Sequence, residues 1–196
     1  MNRIKSISYS QAEILQNICA LHIGQVEADV TYGSGCFYKN IMPEPRFNFD
    51  LAPRVPGVIP ADVCRLPLRD GCMQSVMFDP PFLITTGPGA KLKERFGSQV
   101  GNMQDLHNFY FTAMREIHRV LAPKGWFIFK CQDGVLSGVN HFTHVMIYGM
   151  ATQTGFKPVD LFILLAKHRM TDPTHKVQKH ARKFHSYFWV FQKRRK

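Results

Sequence analysis

The tetrapeptide Asp79-Pro80-Pro81-Phe82 follows directly on the apolar run Ser75-Val76-Met77-Phe78. A buried strand that ends in an acid, two prolines and an aromatic ring sets hydrogen-bond acceptors beside a flat stacking face. That pairing suits a planar substrate bearing an exocyclic amine, a nucleobase for example. Prolines also punctuate strand ends for purely structural reasons, so the surroundings must decide. Three further acids occupy comparable places: Asp29 ahead of Thr31-Tyr32-Gly33-Ser34-Gly35, Asp50 near the end of Arg46–Leu51, and Asp62 shortly after Val58-Ile59. Glycines at 33 and 35 let the backbone approach a ligand closely, and an acid beside them can hold an amino group or a hydroxyl. A lone G-x-G is a weak signal. Acids at successive strand ends are a stronger one, because packing does not require them.

A second constellation is basic. Lys167, Arg169, Lys176, Lys179, Arg182 and Lys183 face only Asp172 within the segment 167–183, and Lys193-Arg194-Arg195-Lys196 closes the chain. The stretch Lys179 to Tyr187 interleaves cations with aromatic rings, a composition suited to phosphate contact and base stacking. The formal net charge of +11 agrees with a polyanionic partner, although a solvated basic surface is the ordinary alternative. Histidines at 141, 144, 175, 180 and 185 match no standard ligand spacing, so no metal site is expected. Gln132-Asp133 reads equally as part of a substrate pocket or as a turn.

The elements that must position these residues follow from periodicity. Ser10-Gln11-Ala12-Glu13 is a capping box, and Ile14, Leu15, Ile18 and Leu21 continue it at helical spacing. Short strands are predicted up to Val30, over Arg46–Leu51, near Val58-Ile59 and over Ser75–Phe78. Leu106, Phe109, Tyr110, Ala113, Met114, Ile117, Val120 and Leu121 trace the clearest amphipathic helix. Pro123-Lys124-Gly125 is read as its terminating turn, with Trp126–Phe129 as a buried fifth strand. A helix over about His141–Thr154 stops at Gly155, and strands over Leu161–Ala166 and Ser186–Phe191 finish the pattern. Alternating strands and helices predict an α/β fold with a mostly parallel central sheet and helices on both faces. The last two strands have no helix between them and are expected to be antiparallel. In such a sheet Asp29, Asp50, Asp62 and Asp79 would share one edge and face one crevice, with the basic segment 167–183 beside it.

A chain of 196 residues, 45% of them hydrophobic, is long enough for one well-filled core, and a single domain over 1–196 is the expectation. No apolar run approaches membrane-spanning length, and the first residues lack a signal-peptide core. Five cysteines without a C-x-x-C pair read as reduced thiols. A cytoplasmic protein with no membrane partner is therefore expected.

The acids, the glycine turn and D-P-P-F together resemble the S-adenosylmethionine-dependent methyltransferases of the Rossmann-like class I fold. More narrowly, the chain is similar to the amino methyltransferases of nucleic acids, whose motif is D/N/S-P-P-Y/F/W. The segments Ala61–Leu68, Ser75–Phe82 and Glu116–Gly125 carry the likeness. It implies a catalytic set of Asp79, Pro80, Pro81 and Phe82, with Asp79 and the Pro80 carbonyl accepting hydrogens from the target amine and Phe82 stacking on the base. It implies S-adenosyl-L-methionine as cofactor, with Asp29, Gly33 and Gly35 at its methionine part and Thr31 beside them, Asp50 at its ribose and Asp62 at its adenine. Lys176, Lys179, Arg182 and Lys183 would contact nucleic acid, DNA before RNA, in a prokaryotic or phage setting. An RNA base methyltransferase and an inactive nucleic-acid-binding relative are the rivals. The chain departs from the family pattern at Tyr32, which is bulky, and after Gly35, where Pro43 and Pro45 cut short the usual first helix. The residues 83–103 read as an active-site lid.

Overall fold

Ser10 and Glu13 start α1 (Gln11–Ile18) as their spacing predicts: the Ser10 side chain accepts the Glu13 amide at 3.3 Å. The reciprocal half of the box is rerouted, because the Ser10 amide donates to Ser8 Oγ at 3.0 Å and Ser8 Oγ donates in turn to Glu13. Ile14, Leu15 and Ile18 point inward and are fully buried. The computed structural model describes residues 3–39, 43–82, 102–136, 138–167 and 179–195. Lys176, most of the basic segment and nearly all of the expected lid lie outside them.

Among the described residues ten strands follow in order as β1 (Ile7–Ser8), β2 (Ala28–Asp29), β3 (Phe47–Asp50), β4 (Ile59–Pro60), β5 (Met73–Phe78), β6 (Leu121–Cys131), β7 (Gly134–Leu136), β8 (Val139–His141), β9 (Phe156–Leu165) and β10 (His185–Lys193). Two further helices are α2 (Met103–Val120) and α3 (Thr143–Thr154). Eight strands form one sheet in the order β1-β9-β10-β6-β5-β2-β3-β4, while β7 and β8 make a separate hairpin. Within the large sheet β10 alone runs against its neighbours, pairing antiparallel with both β6 and β9. The remaining pairs are parallel. The mostly parallel sheet with one antiparallel strand is thus as the alternation of elements predicts.

Alternation along the central strands divides the core in two. Val76 and Phe78 of β5 and Phe127 and Phe129 of β6 pack beneath α2 and α3, whereas Met77 and Ile128 face α1 and the turn carrying Phe37 and Tyr38. Each fully buried ring contributes roughly 1.5–3 kcal/mol of transfer free energy. Phe127, Phe129, Phe156 and Phe191 form one contiguous aromatic layer. This packing fixes the level at which β5 and β6 end, and so fixes the height of Asp79 and Lys130.

Two expectations change. Pro123-Lys124-Gly125 does not separate helix from strand: β6 begins at Leu121, and the three residues form an irregularity inside it, with Lys124 at φ 64°. Met73 pairs with Leu121 and then Ser75 with Trp126, so the longer stretch of β6 must loop outward. The hairpin β7–β8 is also unforeseen and delays the start of α3 to Thr143. Gly155 ends α3 in the left-handed conformation, as predicted. No helix among the described residues is long and apolar enough to cross a membrane.

Candidate active site

Parallel β2, β3, β5 and β6 all point their carboxyl ends the same way, so the residues that follow them gather at one sheet edge. Asp79 is at its centre. Its amide donates to Thr31 Oγ1 at 2.7 Å, which ties the end of β5 to the glycine turn after β2. Its Oδ2 accepts from Lys130 Nζ at 3.1 Å. Its Oδ1 is buried, and no hydrogen-bond donor among the described residues reaches it. Burial pushes the Asp79 carboxyl above its usual range, and Lys130 opposes that rise.

The two prolines are held from the other side. Tyr110 of α2 donates its hydroxyl to the Pro81 carbonyl at 2.6 Å. No hydrogen bond from the described residues reaches the Pro80 carbonyl. Phe82 is half-buried and lines a small cleft with Met103, Leu136, His141 and Thr143. Aromatic ring, open carboxylate oxygen and open carbonyl therefore belong to four consecutive residues.

The glycine turn is built around Asp29. This acid is fully buried: Oδ1 accepts the Thr31 amide and Oδ2 accepts the Tyr38 hydroxyl, each at 2.8 Å. Burial, with a smaller contribution from the Asp79 charge, raises its pKa to about 7. Gly33 and Gly35 have φ of 60° and 70°, a conformation that disfavours side chains. The Gly33 amide donates to Asp50 Oδ2 at 2.8 Å, while Asp50 Oδ1 accepts the Ala52 amide. Asp62 is exposed and accepts the Cys64 amide at 2.8 Å. The expectation that all four acids face one crevice does not hold for Asp29, because the shortened segment after Gly35 folds Tyr38 over it.

S-adenosylmethionine is tested by these same atoms. Beside Gly33 there is room, since a Cβ there would meet only the Thr31 carbonyl at 4.0 Å. Asp50 and Asp62 stand on adjacent strand ends, β3 pairing with β4 as Asp50 with Pro60. Gly35 differs: a Cβ built on it would lie 2.4 Å from the Tyr32 hydroxyl, so that ring occupies the face a ligand would use. Asp50 and Asp62 leave room for the adenosine half of the cofactor, and the open face of Gly33, expected at the methionine part, adjoins Asp50. At the methionine half, Asp29 and Thr31 brace the loop instead.

Beyond Asp79 the edge carries groups that sequence reasoning did not join. Lys130 ends an otherwise apolar stretch of β6, a lysine directly after four apolar residues, and that oddity was the available signal. Asp133 is buried and accepts from the amide and Nδ1 of His144, at 3.1 and 2.8 Å. Tyr187 stacks on His144 at 4.3 Å between centroids and lies 2.9 Å from His185 Nε2. Of the basic residues, Lys179 and Arg182 are exposed and Lys183 is half-buried. His180, among them, meets Asn140 at 2.9 Å and the Gly138 carbonyl at 2.7 Å, which pins this stretch to the hairpin bordering Phe82.

No family model and no curated protein matches the chain. Solved structures do. The chain is similar to the 4+2 cyclase SpnF at 13% identity, TM-score 0.59, over 93% of this chain and 81% of that one. It is similar to a SAM-dependent methyltransferase of Thermotoga maritima, a candidate histamine N-methyltransferase, at 13% identity, TM-score 0.58, over 92% and 87%. A candidate DNA modification methylase of Thermus thermophilus, complexed with S-adenosyl-L-methionine, matches at 21% identity and TM-score 0.46, over 66% and 51%. The chain spans about half the length of the DNA methylases it matches. At these identities the likeness is one of fold: a Rossmann-like class I methyltransferase fold, with β10 as its one antiparallel strand.

Proposed function

We propose that the chain is an S-adenosylmethionine-dependent methyltransferase acting on the exocyclic amine of a nucleobase, with adenine or cytosine in DNA as the first substrates to try. The fold alone does not carry this, since a cyclase shares it. The observation that carries it is Asp79 Oδ1, a buried acceptor that no donor among the described residues reaches, beside a carbonyl that none of them engages and an aromatic ring. Buried carboxylate oxygens are normally satisfied. One kept open calls for a donor brought by the substrate.

A nucleobase amine is a weak nucleophile because its lone pair is delocalised into the ring. Two acceptors on its hydrogens, Asp79 Oδ1 and the Pro80 carbonyl, favour pyramidal nitrogen and aim the lone pair. Phe82 fixes the plane of the base by stacking. Bound beside Gly33, Asp50 and Asp62, the cofactor would supply an electrophilic methyl group. On receiving it the nitrogen must shed one proton, and Asp79, with its carboxyl raised by burial, is the acceptor at hand. A target within a duplex has to be flipped out to enter. Lys179, Arg182 and Lys183, with Lys176, would contact phosphates beside the cleft.

The test is tritium transfer from labelled cofactor to DNA, RNA and protein in parallel. DNA should take the label, and Asp79→Ala should reduce transfer by about a hundredfold to a thousandfold while cofactor affinity stays within a few-fold. Label on RNA alone would move the substrate to RNA bases. Transfer to none of the three, or turnover kept by Asp79→Ala, defeats the reading. Replacing Lys179 and Arg182 together by alanine should lower the slope of log affinity against log salt by about 1–2, and an unchanged slope would take that segment out of the interface.

A further inference from the structure

Lys130 is the most unusual side chain at the sheet edge. It stands among apolar residues of β6, and Phe188 of β10 is its partner in the ladder. Its Nζ lies 4.9 Å from the centroid of Phe37 and 5.7 Å from those of Phe82 and Phe188, and it donates to Asp79 Oδ2. The side chain is 12% exposed and that of Asp79 19%. Burying such a pair contributes little to stability, since well-packed apolar residues serve as well or better. An ammonium has three hydrogens to offer, and among the described residues this one donates to a single carboxylate oxygen. Three ring faces surround the ammonium, and no donor among the described residues reaches the other oxygen.

Resting on the function proposed above, the geometry points to Lys130 as a positioning residue that keeps Asp79 ionised and turned so that Oδ1 alone is presented to the substrate amine. The rings restrain the lysine, the lysine restrains Oδ2, and the acceptor left over has one direction. Phe82 takes part in both arrangements, as a wall of the ammonium cage and as the stacking face. Asp79 is also faced by Asp29 at the end of β2, by Tyr110 of α2 and by Cys131 of β6, each of which senses its charge. Burial holds the Tyr110 hydroxyl and the Cys131 thiol protonated far above neutral pH, leaving Asp29 as the other group that titrates nearby.

Lys130→Met keeps the length of the stem among the rings and removes the charge, and Lys130→Arg restores a cation. Two readouts are needed. The first does not depend on turnover: the Asp79 carboxyl carbon is followed by NMR against pH, assigned by its absence in Asp79→Asn. Its midpoint should move up by at least one pH unit in Lys130→Met, in an Asp29→Asn background as well, and stay near the original in Lys130→Arg. The second is the pH profile of methyl transfer. The acid limb of kcat/KM should move up with the same midpoint, giving at least a tenfold loss well below that midpoint and little loss above it, with cofactor affinity within threefold. An unmoved Asp79 midpoint overturns the proposal, even if the chain transfers methyl groups. A rise in KM alone, sensitive to salt, also overturns it, by making Lys130 a phosphate contact. If no nucleic acid is methylated, the function proposed above fails, and the NMR midpoint still decides whether Lys130 governs Asp79.

Discussion

Asp29 and Asp79 stand at the carboxyl ends of adjacent parallel strands, β2 and β5, and Thr31 touches both. In sequence they look alike: an acid at a strand end followed by small or rigid residues. Their surroundings are opposite. Around Asp29 the chain supplies a donor for each oxygen, the Thr31 amide and the Tyr38 hydroxyl, and Tyr38 itself is buried and stacked on Tyr32. Around Asp79 the described residues supply one side-chain donor, Lys130, and none of them reaches Oδ1. Burial raises both carboxyls. The first is a finished, fully buried hydrogen-bonding site and the second an unfinished one. Asp50, also bonded at both oxygens, stays half-exposed with lone pairs to spare. Acidity at a strand end therefore does not mark a ligand contact until donors and burial are both counted.

The contrast breaks first on turnover. Asp79→Ala removes the open acceptor and carries the largest expected effect, the hundredfold to thousandfold loss of transfer given above. Asp29→Asn keeps shape and hydrogen bonding and should change kcat/KM by less than about tenfold. If the asparagine variant loses turnover on the scale of Asp79→Ala, Asp29 meets the substrate or cofactor after all and the contrast is wrong.

Stability sharpens it in the other direction. With its pKa raised from 3.8 to about 7, Asp29 is protonated in the folded chain at pH values where it is already ionised in the unfolded one. The stabilisation linked to that proton is fully present below about pH 4 and is lost as pH rises through about 7. At about 1.4 kcal/mol per pKa unit it amounts to something on the order of 4 kcal/mol. Wild type should therefore weaken relative to Asp29→Asn between pH 4 and pH 8 in denaturant titrations. A difference between the two that stays flat over that range would mean that Asp29 is solvated in the folded state.

How much of this could be read from the residues alone differs between the same two acids. Strand-end placement was legible for both, because an apolar run leads into Asp79 and a glycine turn follows Asp29, and the sheet with its antiparallel last pair followed from alternation. The saturation of Asp29 was not legible. It depends on where eight intervening residues place the Tyr38 ring, and that is set by the turn replacing a helix. Lys130 lies 51 positions from Asp79, and only the β5–β6 register, Phe78 against Phe129, puts them side by side. The hairpin at Gly134–His141 was missed because its strands are short and half-exposed, without the alternation that burial of one face imposes. Pro123–Gly125 has ordinary turn composition, and only pairing with Met73 and Ser75 shows it to be a bulge within β6.

The smallest effect is expected at the residue the two acids share. Thr31 Oγ1 accepts the Asp79 amide at 2.7 Å and lies 3.4 Å from Asp29 Oδ1, so the first contact is a firm hydrogen bond and the second a weak one. Thr31→Val keeps the branched shape, leaves the Asp79 amide without its acceptor and keeps the backbone amide that Asp29 accepts. An unsatisfied buried donor costs about 1–3 kcal/mol, or roughly 2–12 °C in Tm for a chain of this size. Transfer should fall only about threefold to tenfold, through looser placement of Asp79, and Thr31→Ser should recover most of both losses. Because Thr31 reaches Asp79 through its backbone and not its carboxylate, the pH at which Asp79 titrates should stay where it is. A loss of transfer as large as that of Asp79→Ala would instead mean that the hydroxyl itself meets the bound molecules, and the open acceptor would then belong to the glycine turn as much as to the end of β5.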